Sequence, residues 1–259
     1  MRIALLTADN PLYLPASIDR ILRRRAADVV GVFACRPAYG KTGPMTTLKR
    51  YTKAFGLLNT LVLIRRVLAG KVNQKLGLGR RTGEFHSVRA AAEHHGVPYE
   101  RVDDVNDPAF LDRLRAAGTD VVLSVSCPQI FKKDLIDLPA LGCLNLHGAD
   151  LPHYRGLLPS FWMLADGLTT AAVTIFFVAH GIDTGDAAGK RYFPIEPDDT
   201  LDSFLIRAKR ESSDLALDVL DQIENGTVTR TPLEGEGSYF SFPTREDYRR
   251  FRKAGRKVW

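Results

Sequence analysis

The run Asp120-Val-Val-Leu-Ser-Val-Ser126 is apolar at successive positions rather than at alternate ones. A strand of that pattern must be covered on both faces, so it belongs inside a sheet flanked by helices. The rest of the chain supplies such a sheet. Arg2–Thr7, Val29–Cys35, Val97–Val102 and Leu141–Leu146 read as further strands. Between them Ile18–Ala27, Ser87–His95 and Pro108–Ala117 read as helices, the second stopped by Gly96, the third opened by a proline and closed at Gly118. This alternation predicts an α/β fold: an open, mostly parallel twisted sheet with helices on both faces. Ligands in such sheets bind beyond the carboxyl ends of the strands. Asn145 and His147 sit at one of those ends.

Farther along, Pro159–Asp166 reads as a short helix and Ala171–Val178 and Ala187–Phe193 as strands. Thr200–Glu224 reads as a long amphipathic helix, begun by Asp198 and Asp199 and ended at Asn225–Gly226. Residues 227–259 are aromatic, basic and punctuated by Gly and Pro. They are too few for an independent domain, so the expected division is a main domain over 1–226 and a C-terminal extension over 227–259. Tyr239, Phe240, Phe242, Tyr248, Phe251 and Trp259 suit either a homodimer surface or a tail folded back on the body, and the second is favoured. The longest apolar stretches, near Leu57–Ile64 and Ala171–Ala179, are too short to span a bilayer, and the polar start does not read as a secretory signal. Cys35, Cys127 and Cys143 show no metal-ligand spacing, and their odd number points to reduced thiols in a cytoplasmic protein without a metal.

Charge is segregated. Val29 to Gly83 contains eleven Lys or Arg and no Asp or Glu, which leaves 25 positive and 30 negative residues elsewhere. A second basic cluster runs from Arg245 to Lys257. Within the first segment Leu48, Tyr51, Phe55, Leu58 and Val62 recur at helical steps, and Gly70 to Gly83 reads as a basic loop. Residues 44–82 therefore form a basic insertion between the second strand and the next helix. It could close over a substrate through Lys49, Arg50, Lys53, Arg65 and Arg66, lie on an anionic membrane surface or a partner, or simply cap the sheet.

Asn145-Leu146-His147, followed by Gly181-Ile182-Asp183-Thr184-Gly185-Asp186, combines an amide, an imidazole and a carboxylate. Those three groups suffice for acyl transfer: the amide stabilises an oxyanion, the imidazole moves a proton and the carboxylate orients the imidazole. Together with Leu151-Pro152-His153-Tyr154-Arg155-Gly156, and with similarity that extends upstream through Val121–Leu135, Val102–Asn106 and Ser87–His95 and more loosely to the first strand, these motifs resemble the formyltransferases that use 10-formyltetrahydrofolate. The resemblance implies a Rossmann-like formyltransferase fold and roles for matching positions. Asn145 would hold the formyl oxygen, His147 would assist the attacking amine, and Asp183 would orient His147 or a relay water. The folate would lie against Ser126, Cys127, Pro128, Gln129 and Ile130 and against Ala179, His180 and Gly181.

Two departures touch the rim of that site: Ala149 stands where the family often has Ser, and Ala179–His180 where it commonly has an acidic pair. His153 is placed on the surface or the substrate side, and His86, His94 and His95 on an exposed helix. Among acceptors, the short stretch after the long helix argues against methionyl-tRNA and against nucleic acid as a partner. The basic insertion and aromatic tail argue against a glycinamide ribonucleotide enzyme. A small primary amine, such as an amino sugar on a nucleotide, is the expected acceptor, with Arg155 or Lys190 meeting a diphosphate. A formyltetrahydrofolate hydrolase and a non-enzymatic binding protein are the competing classes.

Overall fold

The computed structural model describes residues 1–37, 44–77 and 84–259. Its main sheet has seven strands: β1 (Ile3–Ala8), β2 (Val29–Cys35), β3 (Tyr99–Val102), β4 (Val121–Val125), β5 (Cys143–His147), β7 (Thr170–Phe177) and β8 (Ala187–Pro194). Their spatial order is β3-β2-β1-β4-β5-β7-β8. The first five are parallel, and β7 and β8 complete the sheet in antiparallel fashion. The mostly parallel sheet predicted from the apolar runs is therefore present.

Its two faces carry separate cores. Ile3, Leu5, Leu123 and Leu144 point to one, while Ala4, Leu6, Val122 and Cys143 point to the other. This alternation is why β4 reads as continuously apolar. The larger core is covered by α1 (Leu14–Arg25), α4 (Val88–His94), α7 (Pro159–Ala165) and α8 (Leu201–Glu224). The smaller is covered by α5 (Pro108–Ala116) and α6 (Lys133–Ile136). Helix α8 starts at a capping box in which Thr200 and Ser203 satisfy each other's backbone N–H groups.

The insertion differs from its expected form. It is two helices, α2 (Pro44–Phe55) and α3 (Leu57–Lys75), broken at Gly56, whose φ of 86° a helix interior cannot hold. α3 runs through Gly70, which is buried beside His86, into what read as loop. Residues 78–83 of that expected loop lie outside the described ones.

The histidines also differ. His86 precedes α4 rather than belonging to it, because Ser87 is the N-cap and accepts from the Ala90 amide. His94 is on the helix and exposed as expected, with its ring against Phe85, centroids 5.0 Å apart. His95 is not solvated: its Nε2 meets Asp19 Oδ1 at 2.8 Å.

The tail folds back. A two-residue strand β9 (Tyr239–Phe240) pairs in parallel with β6 (Arg155–Gly156). Helix α9 (Arg245–Lys253) then buries Phe251 against Phe161, with centroids 5.0 Å apart. Phe55 of α2 meets Phe161, Phe242 and Tyr248 edge to face, so the insertion and the tail share one aromatic cluster on α7.

Candidate active site

Ser124 of β4 is the register partner of Asn145 on β5, which pairs in turn with Phe176 on β7. All three line one cavity of about 290 Å³. The floor of the cavity is thus a single cross-strand row near the carboxyl ends of the parallel strands. His147, two residues beyond Asn145, shares its face of the sheet. The walls come from three loops: Cys127 to Phe131 after β4, Gly181 to Asp183 between β7 and β8, and Gly156, Leu157 and Tyr239 from the small β6–β9 sheet.

The turn that delivers Asp183 is fixed by glycine. At Gly185, with φ of 124°, a Cβ would stand 2.0 Å from the Phe177 carbonyl oxygen. At Gly181 it would meet Thr184 Oγ1 at 2.6 Å. Asp183 itself is held at φ 51°, a conformation uncommon for a residue with a side chain. Its Oδ2 accepts the Gly156 amide at 3.0 Å, which ties the turn to the small sheet.

His147 is anchored from the other side. Its Nε2 lies 2.8 Å from the Tyr154 carbonyl oxygen, which can only accept, so Nε2 carries the hydrogen. In the neutral ring Nδ1 is then the open lone pair, and it stands 3.6 Å from Asp183 Oδ2. That separation exceeds hydrogen-bond reach, and it becomes an ion pair only when the ring takes up a proton. Burial pushes the imidazole below its ordinary pKa, while Asp183 and the Tyr154 carbonyl pull it back up and Lys209 pushes it down. The ring therefore rests neutral, beside a carboxylate placed to stabilise the protonated form. Asn145 is half-buried, and among the described residues no partner takes up its side-chain amide.

The backbone around these groups is held tightly. Ser126, Tyr154, Leu158 and Asp183 all have positive φ, and each lies in or beside a cavity loop. Thr174, paired with His147 across β5 and β7, accepts the Leu151 amide at 3.2 Å and donates to the Ala149 carbonyl at 2.7 Å. Those two bonds pin the segment just after His147.

Of the positions expected to meet a cofactor, Cys127, Pro128, Gln129, Ile130 and Gly181 line the cavity. Ser126, Ala179 and His180 are absent from that lining. Ser126 Oγ instead receives Lys209 Nζ at 2.6 Å, and the Ala179 amide and His180 carbonyl close the turn on Thr184. The Gln129 side chain is occupied: it accepts from the Val105 amide and donates to the Arg36 and Asp103 carbonyls. Lys190 is also occupied, by Asp150 Oδ1 at 2.6 Å and the Leu151 carbonyl at 2.5 Å. Arg155 Nε is buried without a hydrogen-bond partner among the described residues.

Ser124, Leu157, Tyr239 and Lys209 belong to the site or its surroundings beyond the residues expected from sequence. Ser124 carried a signal, the one polar residue inside the apolar run of β4. Tyr239 and Leu157 carried none, because they arrive through the pairing of two-residue strands. Lys209 projects from α8 among core-facing neighbours, and burial pushes its amine down to about 8.

Known proteins resemble the chain in the same region. Residues 62–220 match the formyl transferase family. The methionyl-tRNA formyltransferase of Ruminiclostridium cellulolyticum is 32% identical over 160 residues, which are 61% of this chain and 51% of that protein. The chain thus spans about half the length of the curated relatives it matches. Solved structures share the fold at lower identity. A sugar N-formyltransferase from Shewanella superposes with TM-score 0.60 at 18% identity, covering 98% of this chain and 88% of that one. The N-formyltransferase of Helicobacter canadensis, in complex with folinic acid and dTDP-3-aminofucose, superposes with TM-score 0.56 at 16% identity, covering 95% and 72%. The match takes in β5, the turn bearing Asp183 and most of α8, and on that extent the chain belongs to the formyl transferase family.

Proposed function

We propose that this chain transfers a formyl group from 10-formyltetrahydrofolate to the primary amine of a small molecule, an amino sugar carried on a nucleotide. The observation that carries the reading is that Asn145 and Asp183 line one cavity, with His147 Nδ1 3.6 Å from the carboxylate. The folate fits what surrounds them. Apolar walls from Pro128, Ile130, Phe131 and Val178, with backbone polar groups between them, suit a flat amide-edged ring.

In the reaction, the amine nitrogen attacks the formyl carbon and a C–N bond forms. The Asn145 amide donates to the oxyanion that develops. The amine proton passes to Nδ1 of His147, and Asp183 stabilises the resulting imidazolium. Collapse breaks the bond to the folate nitrogen, which takes the proton from the His147 imidazolium as it leaves and so restores the neutral ring. The products are the N-formyl amine and tetrahydrofolate.

For the acceptor, the amino-sugar reading is supported by the sugar N-formyltransferases that superpose over nearly all of this chain. Arg155 Nε, buried and without a hydrogen-bond partner among the described residues, lies next to Gly156 of the cavity and belongs to a guanidinium suited to a phosphate. A second reading, methionyl-tRNA, is favoured by the identity with methionyl-tRNA formyltransferases. The test is to incubate the purified chain with 10-formyltetrahydrofolate and amino-sugar nucleotides, glycinamide ribonucleotide or methionyl-tRNA. A gain of one formyl group on a sugar nucleotide is the expected result. Formylation of the tRNA alone would replace the acceptor, and amine-independent release of tetrahydrofolate would make the chain a hydrolase.

A further inference from the structure

Helix α3 leaves most of its large aliphatic side chains on the face turned away from the body. The side turned to the body holds Leu63 and Val67, half-buried, among polar contacts. Asn59 donates to the Tyr248 hydroxyl at 2.9 Å, and its carbonyl accepts from Trp259 Nε1 at 3.3 Å. Thr60 is buried, and Arg66 stacks over the Trp259 ring at 4.8 Å and pairs with Asp202 at 2.5 Å. The opposite side is aliphatic. Leu57, Leu61, Leu68 and Val72 follow at steps of four, seven and four, which at 3.6 residues per turn makes one stripe. Each of the four is more than half exposed. Leu58, at 80%, and Leu76, at 66%, widen the stripe and carry it the whole length of the helix, roughly 28 Å. Apolar surface in so long an exposed band marks a contact site rather than a solvated face.

Charge identifies the occupant. Exposed Lys71 and Lys75 edge the stripe, exposed Arg65 falls within it between Val72 and Leu76, and exposed Lys49, Arg50 and Lys53 lie on neighbouring α2. No carboxylate occurs anywhere between Val29 and Gly83. Two copies of the chain meeting through this face would oppose two acid-free basic segments, which like-charge repulsion disfavours. An anionic surface with an apolar layer beneath it satisfies both the stripe and its basic edges. No helix among the described residues is long and apolar enough to cross a membrane, so α3 would lie in the interface.

We propose that α3 seats the chain on the anionic leaflet of a membrane, with Leu57, Leu61, Leu68 and Val72 in the headgroup boundary and the flanking Lys and Arg on lipid phosphates. The proposal stands apart from the formyl-transfer reading. It is tested by flotation of the full chain with phosphatidylcholine vesicles and with vesicles that also contain phosphatidylglycerol. The chain should float with the second only, and less so as salt rises. Leu61→Ser/Leu68→Ser and Lys71→Glu/Lys75→Glu change exposed side chains and should melt with the wild type, yet each should weaken vesicle partitioning by at least about tenfold. Absence of flotation with anionic vesicles would overturn the proposal, as would flotation that neither variant changes. A concentration-dependent dimer that Leu61→Ser/Leu68→Ser dissolves, without vesicle binding, would assign the face to a second copy instead.

Discussion

Nδ1 of His147 stands 3.6 Å from Oδ2 of Asp183, while Nε2 across the ring donates to the Tyr154 carbonyl. The ring is therefore fixed in orientation by the backbone, not by the carboxylate. Asp183 is left to act on the charge of the ring rather than on its position. This divides the two roles usually given together to a carboxylate beside a histidine.

Asp183→Asn separates those roles. The amide oxygen can still accept from Gly156, so the turn should keep its shape. The loss of negative charge removes an influence that raises the His147 pKa, which burial already holds low. A base works when deprotonated, so the acid limb of the rate profile reports ring protonation. That limb should move to lower pH in the variant, and the maximal rate should fall on the order of 100-fold. A pH series of kcat/KM checks both; an unmoved limb would remove Asp183 from the ionisation of His147.

Asn145→Ala tests the oxyanion donor. The amide has no hydrogen-bond partner to lose among the described residues, so the melting temperature should hold. Turnover should drop about 100- to 1000-fold with little change in KM. Steady-state kinetics beside a thermal melt would show it, and a variant with near-normal kcat would exclude Asn145 as the donor.

Gly185→Ala should cost both fold and function. The added methyl would lie 2.0 Å from the Phe177 carbonyl oxygen, and alanine resists φ of 124°. The turn must open, which carries Asp183 away from His147. A loss of roughly 2 kcal/mol or more is expected in denaturant unfolding, with activity below that of Asp183→Asn. Wild-type stability would mean that the turn is softer than its contacts imply.

The sheet was legible in the sequence because β4 is buried on both faces, which its continuous apolar run betrays, and because strand and helix patterns alternate around it. Asn145, His147 and Asp183 were legible as motifs, although their meeting depends on Gly181 and Gly185 bending the chain between antiparallel β7 and β8. The break at Gly56 was hidden because Leu48, Tyr51, Phe55 and Leu58 keep a helical step across it. Tyr239 was hidden for a different reason. It reaches the cavity through one short parallel pairing with Arg155–Gly156, more than eighty residues earlier in sequence, and no local pattern encodes that distance. His95 carries no local sign of its pairing because its partner, Asp19, sits on another helix.

Lys209 links the stability of the fold to the ionisation of the site. Its amine bonds Ser126 Oγ at 2.6 Å, and burial pushes its pKa from 10.5 down to about 8. Between those values the unfolded chain holds a proton that the folded chain does not, so stability is lost as pH falls through that window. Methionine at this position does not titrate. The stability of Lys209→Met relative to wild type should therefore rise as pH falls from about 10 to 8 and then level off. The rise should be on the order of 1 to 2 kcal/mol, reduced because the side chain is only half-buried. Loss of the Ser126 bond offsets it by about 1 kcal/mol at every pH, so the slope and not the absolute difference is the readout. The same substitution removes a positive charge that holds the His147 pKa down. The acid limb of kcat/KM should then move to higher pH, opposite to its movement in Asp183→Asn. Unfolding curves at several pH values and a rate profile test the two effects separately. A flat stability difference together with an unmoved limb would show that Lys209 acts on neither.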